Sequence, residues 1–74
     1  MQLTLDRLPI GQTDFVSRLA FQGNERRRMM DLGIVKGTTI EAVQKSPSGD
    51  PIAYFIRGTV IALRDEDARK IIIH

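Results

Sequence analysis

Apolar and polar residues alternate in short runs along most of this chain, and that alternation predicts strands. Ile52, Tyr54 and Ile56 share one parity and set a strand over 52–56. Ile61 and Leu63 repeat the pattern over 59–63. Arg57-Gly58 joins the two runs as a two-residue connection, and the glycine supports a tight hairpin turn. Ile40 and Ala42 mark a strand over 39–45. Phe15 and Leu19, with Ser17 between them, mark a less regular one over 13–19. Leu3 and Leu5 suggest a short extended segment before the turn Pro9-Ile10-Gly11-Gln12, and Ile71-Ile72-Ile73 closes the chain as a last strand. Five or so short strands in so short a chain predict a mostly β fold with one or two short helices. The natural architecture is a small closed barrel, because closure removes exposed strand edges, and the last strand is expected to pair with an early one.

The period changes once, between Asn24 and Leu32. Asn24 is placed to cap a helix of about two turns with Glu25 at its first position. Met29 and Leu32 share its inner face at i, i+3 spacing. Gly33 falls just past the C-cap, where a left-handed conformation is usual, so Met29 and Ile34 occupy the two positions that touch in a Schellman motif. Gly37 is third in Val35-Lys36-Gly37-Thr38, the place where a type II turn needs positive φ. Gly33, Gly37 and Gly58 are thus read as structural turns. Glycine loops that hold phosphate precede a helix, whereas this pair follows one. A second, shorter helix is expected over 65–70, acidic at its start and basic at its end.

Composition narrows the chemistry. The chain has 74 residues, enough for a single domain spanning 1–74. It has no cysteine, which removes disulfides, zinc knuckles, iron–sulfur ligation and thiol catalysis. The one histidine is His74, the last residue, a position where order is uncommon. No Ser–His–acid set can be built on it, so an enzyme is not expected. Scattered carboxylates and that histidine make a poor ligand set for ferrous iron, and neither a cofactor nor a dedicated metal site is expected. No apolar run approaches a membrane span and no signal-peptide pattern is present, which reads as a cytoplasmic protein.

Eleven basic against nine acidic residues give a net charge of +2, too small by itself to demand a nucleic-acid partner. The charge is concentrated at Arg26-Arg27-Arg28, placed by the expected cap in the first helical turn, where the helix dipole disfavours it. Arg27 can pair with Asp31 at i, i+4. Arg28 lies on the side of Leu32, while Arg26 and Arg27 face water. A partner-binding patch is therefore read at Arg26 and Arg27. A second is read in the loop Ser46–Pro51, at Pro47, Asp50 and Pro51, where two prolines limit the entropy lost on docking.

Taken together, Arg27-Arg28-Met29-Met30-Asp31-Leu32-Gly33-Ile34, Gly37-Thr38, Pro47, Gly49-Asp50-Pro51-Ile52, Arg57-Gly58, Ile61-Ala62-Leu63-Arg64, Ala68 and the final isoleucines resemble the FeoA family over nearly the whole chain. Where this family often has proline, the chain has Lys36, which affects only the stiffness of one turn. The resemblance implies an SH3-like β-barrel, of the kind also found at the end of some metal-dependent repressors. It implies a small cytoplasmic accessory protein of bacterial ferrous-iron uptake. Its partner would be a FeoB-type membrane transporter with a GTP-binding cytoplasmic portion, and weak transition-metal binding comes with the pathway. The alternative from another class is a small barrel that binds nucleic acid. That reading wants aromatic residues together on one strand face, whereas Tyr54 and Phe55 lie on opposite faces.

Overall fold

The computed structural model describes residues 3–74. Six strands run in the order β1 (Leu3–Thr4), β2 (Thr13–Leu19), β3 (Thr39–Lys45), β4 (Ile52–Ile56), β5 (Thr59–Leu63) and β6 (Ile71–Ile73). Helix α1 (Gly23–Asp31) lies between β2 and β3, and the short α2 (Asp65–Ala68) between β5 and β6. All six form one sheet in the spatial order β1-β6-β2-β3-β4-β5, with every pairing antiparallel. As expected, the last strand returns to early ones: β6 sits between β1 and β2.

The sheet does not close into the expected barrel, since β1 and β5 are its edges among the described residues. The reason lies at the N-terminus. Leu5 does not continue the strand but turns into a 3-10 turn over Leu5–Arg7, so β1 comprises Leu3–Thr4 among the described residues. Leu5 and Leu8 join the core from this turn, both buried, and α2 and β6 pack against it.

The core follows the alternation. Ile40, Ala42, Tyr54 and Ile56 are fully buried, with Ile52 and Leu63 nearly so. On β2 the inward residue is Val16, while Phe15 is 46% exposed, the reverse of the parity read from Phe15 and Leu19. A bulge explains the irregular pattern: Val16 pairs with Ile73 but Arg18 with Ile72, leaving Ser17 as the extra residue. The bulge shifts parity between them, so Val16 is buried and Leu19 also packs on the core.

Helix α1 starts earlier than Asn24 suggests. Its N-cap is Gln22, which makes no side-chain cap bond. Tertiary contacts hold this end instead. Phe21 is buried beneath the Lys70 ammonium, 5.7 Å from the ring centroid, and Lys70 lies 3.8 Å from Glu25. The C-terminus matches expectation in detail. Gly33 N–H donates to the Met30 carbonyl and Ile34 N–H to that of Met29, both at 2.9 Å, with Gly33 at φ 87. Met29 and Ile34 are both fully buried, as the Schellman motif requires. Leu32, read as an inner-face residue, is 38% exposed instead, because it is the C-cap and the chain is already turning away. The next turn also stands: Thr38 N–H reaches the Val35 carbonyl at 3.0 Å with Gly37 at φ 90. Thr38 adds a clamp with no local mark in the chain. Its buried hydroxyl donates to the Gly33 carbonyl at 2.9 Å and accepts from Val35 N–H at 3.1 Å.

Tyr54 gives the fold a pH signature. Its hydroxyl donates to the Leu5 carbonyl at 3.4 Å inside the core. Burial, and then the charges of Asp6 and Asp65, push its pKa up from 10.0 to about 12. The folded state therefore holds the phenolic proton after the unfolded chain has released it. This contribution is intact below pH 10 and falls away as pH rises toward 12, at up to about 1.4 kcal/mol per unit. Tyr54→Phe should flatten that alkaline decline in denaturant midpoints. It should cost little at neutral pH, because the Leu5 carbonyl also accepts from Leu8 N–H at 3.0 Å.

Candidate functional site

The arginine turn becomes part of a groove once the chain folds. A cleft of about 510 Å³ lies between α1, the end of β2 and the turn before β3. Leu19, Met30 and Val35 give it an apolar floor, with Met30 itself 48% exposed. Arg18, Arg26 and Lys36 stand around that floor. Among the described residues no acidic side chain lines the cleft, and none of its three cations is in an ion pair. Apolar floor and cationic rim together suit an acidic, amphipathic segment.

The residues that follow Arg26 in the chain divide among other tasks. Arg27 is exposed but does not line the cleft, and no ion pair joins it to Asp31. Arg28 turns the other way and pairs with Asp67 of α2 at 3.1 Å. Because α1 begins at Gly23, the three arginines are at its fourth to sixth positions and not in its first turn. The dipole penalty that singled them out therefore fades, since it is confined to the terminal turn. Their case rests on position: Arg18 and Lys36, which no local pattern marked, arrive beside Arg26 only through the fold.

The Ser46–Pro51 loop lies elsewhere. It follows the C-terminal end of β3, whereas Lys36 precedes its N-terminal end, so the strand's length of about 20 Å separates them. Pro47 and Pro51 line a shallow apolar groove with Ala53 and Ala62. Asp50 has a structural task there. Its carboxylate accepts from Asp65 N–H at 2.9 Å, capping the start of α2 from a distant part of the chain.

Other chemistry is sparse. Among the described residues, no group of three or more histidine, aspartate or glutamate side chains is placed to hold a metal ion. His74 is tied down: its N–H reaches the Phe15 carbonyl at 3.1 Å and its ring lies 5.2 Å from that of Phe15. Tyr54 is buried and Phe55 exposed, on opposite faces as expected. Phe15 and Phe55 do share the outer face, separated by β3, with Glu41 opposite Phe55. No helix among the described residues is long and apolar enough to cross a membrane.

Comparison with known proteins identifies the surroundings in which this architecture occurs. The family model for the FeoA domain matches residues 3–74. An Fe(2+) transport protein A/Fe(2+) transporter FeoB fusion protein of Porphyromonas gingivalis is 38% identical over 69 residues, covering 93% of this chain and 8% of that protein. The chain thus spans a small fraction of that relative's length. The solved structure of a FeoA-like protein from Clostridium acetobutylicum superposes with a TM-score of 0.90 at 36% identity, covering 99% of this chain and 85% of that one. A zinc complex of Stenotrophomonas maltophilia FeoA, described as a prokaryotic SH3 domain protein, superposes with a TM-score of 0.85 at 30% identity, covering 97% and 89%. The six-stranded open sheet is therefore an SH3-like fold.

Proposed function

The chain belongs to the FeoA family, and on that premise we propose that it is a cytoplasmic accessory protein of bacterial ferrous-iron uptake that docks on a FeoB-type transporter. The observation that carries this reading is the fusion relative, in which an Fe(2+) transport protein A segment and an Fe(2+) transporter FeoB share one polypeptide. Covalent linkage holds two modules at high effective concentration, which favours even a modest contact between their surfaces. The cleft at Arg18, Arg26 and Lys36 supports such a contact, with an acidic amphipathic segment of the transporter's cytoplasmic portion as occupant. Arg27, exposed and next to Arg26 in the chain, is proposed to meet the same partner outside the cleft. Pro47, Asp50 and Pro51 form a second contact only for a partner that also spans the length of β3.

The role proposed is binding: the cleft's charged groups are three cations, and its other polar groups are the Ser17 hydroxyl and backbone. The nucleic-acid alternative meets an obstacle on the outer sheet face, where Glu41 puts negative charge directly opposite Phe55.

Reversal of Arg26 and Arg27 to glutamate tests the proposal. Both side chains are exposed and neither is in an ion pair among the described residues, so the melting temperature should stay near that of the parent. Association with the purified cytoplasmic portion of the transporter should slow by about tenfold or more at low salt. Surface-sensor kinetics reads both the rate and its salt dependence. An unchanged association rate would make the arginines an ordinary solvated face.

A further inference from the structure

Strand β5 is the undefended edge of the sheet. It pairs with β4 alone, and its sequence Thr-Val-Ile-Ala-Leu holds no charge and no proline. Its register with β4 runs from Thr59 to Leu63 without a bulge. Charge, proline and bulges are the usual ways of blunting an edge, and none is used here.

The turn fixes which backbone groups are free. Arg57 and Gly58 both have positive φ, 50 and 84, as a two-residue type I′ hairpin turn requires. In such a hairpin the flanking residues Ile56 and Thr59 form a hydrogen-bonded pair. Alternation then makes Tyr54–Ile61 and Ile52–Leu63 hydrogen-bonded pairs too. Val60 and Ala62 therefore turn their N–H and C=O groups away from β4. Among the described residues no backbone hydrogen bond from outside the strands reaches either one. Beside this edge runs a groove of about 270 Å³ with Ile61 and Leu63 on one side and Met29 of α1 and its C-cap Leu32 on the other, and the Arg28–Asp67 ion pair lines it as well. Arg57 and Arg64 stand at the two ends of the strand, both exposed and neither in an ion pair among the described residues.

We infer that the β5 edge is a strand-addition site for an extended segment of a partner protein, apolar at its centre and acidic at its flanks. The segment's backbone bonds Val60 and Ala62. Its inward side chain, next to Ile61, enters the groove toward Leu32, and its acids meet Arg57 and Arg64. A second copy of this chain fits less well. Antiparallel pairing through Val60 and Ala62 would set Arg64 opposite Gly58 of the second copy, with no acid to receive it, and Arg57 opposite Asp65, whose carboxylate already pairs with Arg69 at 3.1 Å. It would also bring both α1 helices to one groove. The β5 edge is independent of the Arg26 cleft, which lies on the other side of α1.

Amide hydrogen exchange by nuclear magnetic resonance tests it, with a short capped peptide of alternating valine and threonine and an aspartate at each end as the probe. In the free chain Val60 and Ala62 should exchange faster than Ile61 and Leu63. Saturating peptide should slow Val60 and Ala62 by about tenfold or more, as a new backbone hydrogen bond does. Ala62→Pro removes one outward N–H at a position where an edge strand tolerates proline, and should weaken binding about tenfold. Should that variant fail to fold, Arg64→Glu at an exposed site should still weaken binding severalfold, and lysine in place of the probe's aspartates should do the same. Unchanged exchange at Val60 and Ala62 overturns the inference, as do shifts confined to Arg18, Arg26 and Lys36. Slowing that grows with protein concentration in the absence of peptide also overturns it, in favour of a second copy.

Discussion

Valine in place of Gly33 is expected to unfold the domain, or to lower its melting temperature by roughly 10–30 °C. Two costs coincide at this residue. Its φ of 87 is a conformation that β-branched residues all but refuse, at about 1–3 kcal/mol. An added Cβ would also run into Arg57 Cδ, so the arginine must move, and its own backbone is held at φ 50 by the hairpin turn. A domain of this length has a stability near the low end of about 5–15 kcal/mol, so a loss of a few kcal/mol is a large share of it. Gly37 separates the two costs. It has nearly the same φ, 90, but nothing lies within 4 Å of its Cβ position. Gly37→Val should therefore melt below the parent but above Gly33→Val, and Arg57→Ala should recover part of the loss in the Gly33 variant only. A Gly33→Val melt within about two degrees of the parent would mean that the helix stop does not depend on this conformation.

Met29→Ala is expected to cost about 2–5 kcal/mol, the range for truncating a large buried side chain. Met29 is fully buried and packs where the helix end, Ile34 and the sheet meet. The loss should be near the upper end if the Schellman contact with Ile34 cannot relax into the cavity. Leu32 is the control. It lies three residues further along the same helix and looks equivalent in the sequence, but it is 38% exposed. Leu32→Ala should cost under about 1 kcal/mol. Equal losses in denaturant titrations would contradict the placement of the two side chains.

The contrast between these residues shows what the chain discloses before it folds. Gly33, Gly37 and Gly58 were legible because each turn demands a residue type at a fixed offset, and so were the strands from Thr39 to Leu63 with their alternation. The face of β2 was not, since the bulge at Ser17 breaks the parity on which the reading relied. Asn24 carries the chemistry of a cap, but Phe21 and Lys70 pin the helix start earlier, at Gln22, and contacts between distant residues leave no local mark. Leu5 looks like a strand residue because it is apolar, while it enters the core from a 3-10 turn. The candidate cleft was legible only at Arg26. Arg18 comes from β2 and Lys36 from the turn after α1, so the cluster is created by the topology and not by spacing. Asp50 illustrates the converse: an exposed-looking loop carboxylate turns out to hold the start of α2.

The central claim is that a positively charged cleft on this chain docks on the cytoplasmic portion of a FeoB-type transporter. The most direct test is the association rate of the unmodified chain with that purified portion, from the same organism, measured from low to high ionic strength. Association is expected to slow by about tenfold or more across that range, because screening weakens the attraction between the cleft and an acidic segment. No complex at any salt concentration, or one whose association rate does not change with salt, would contradict it.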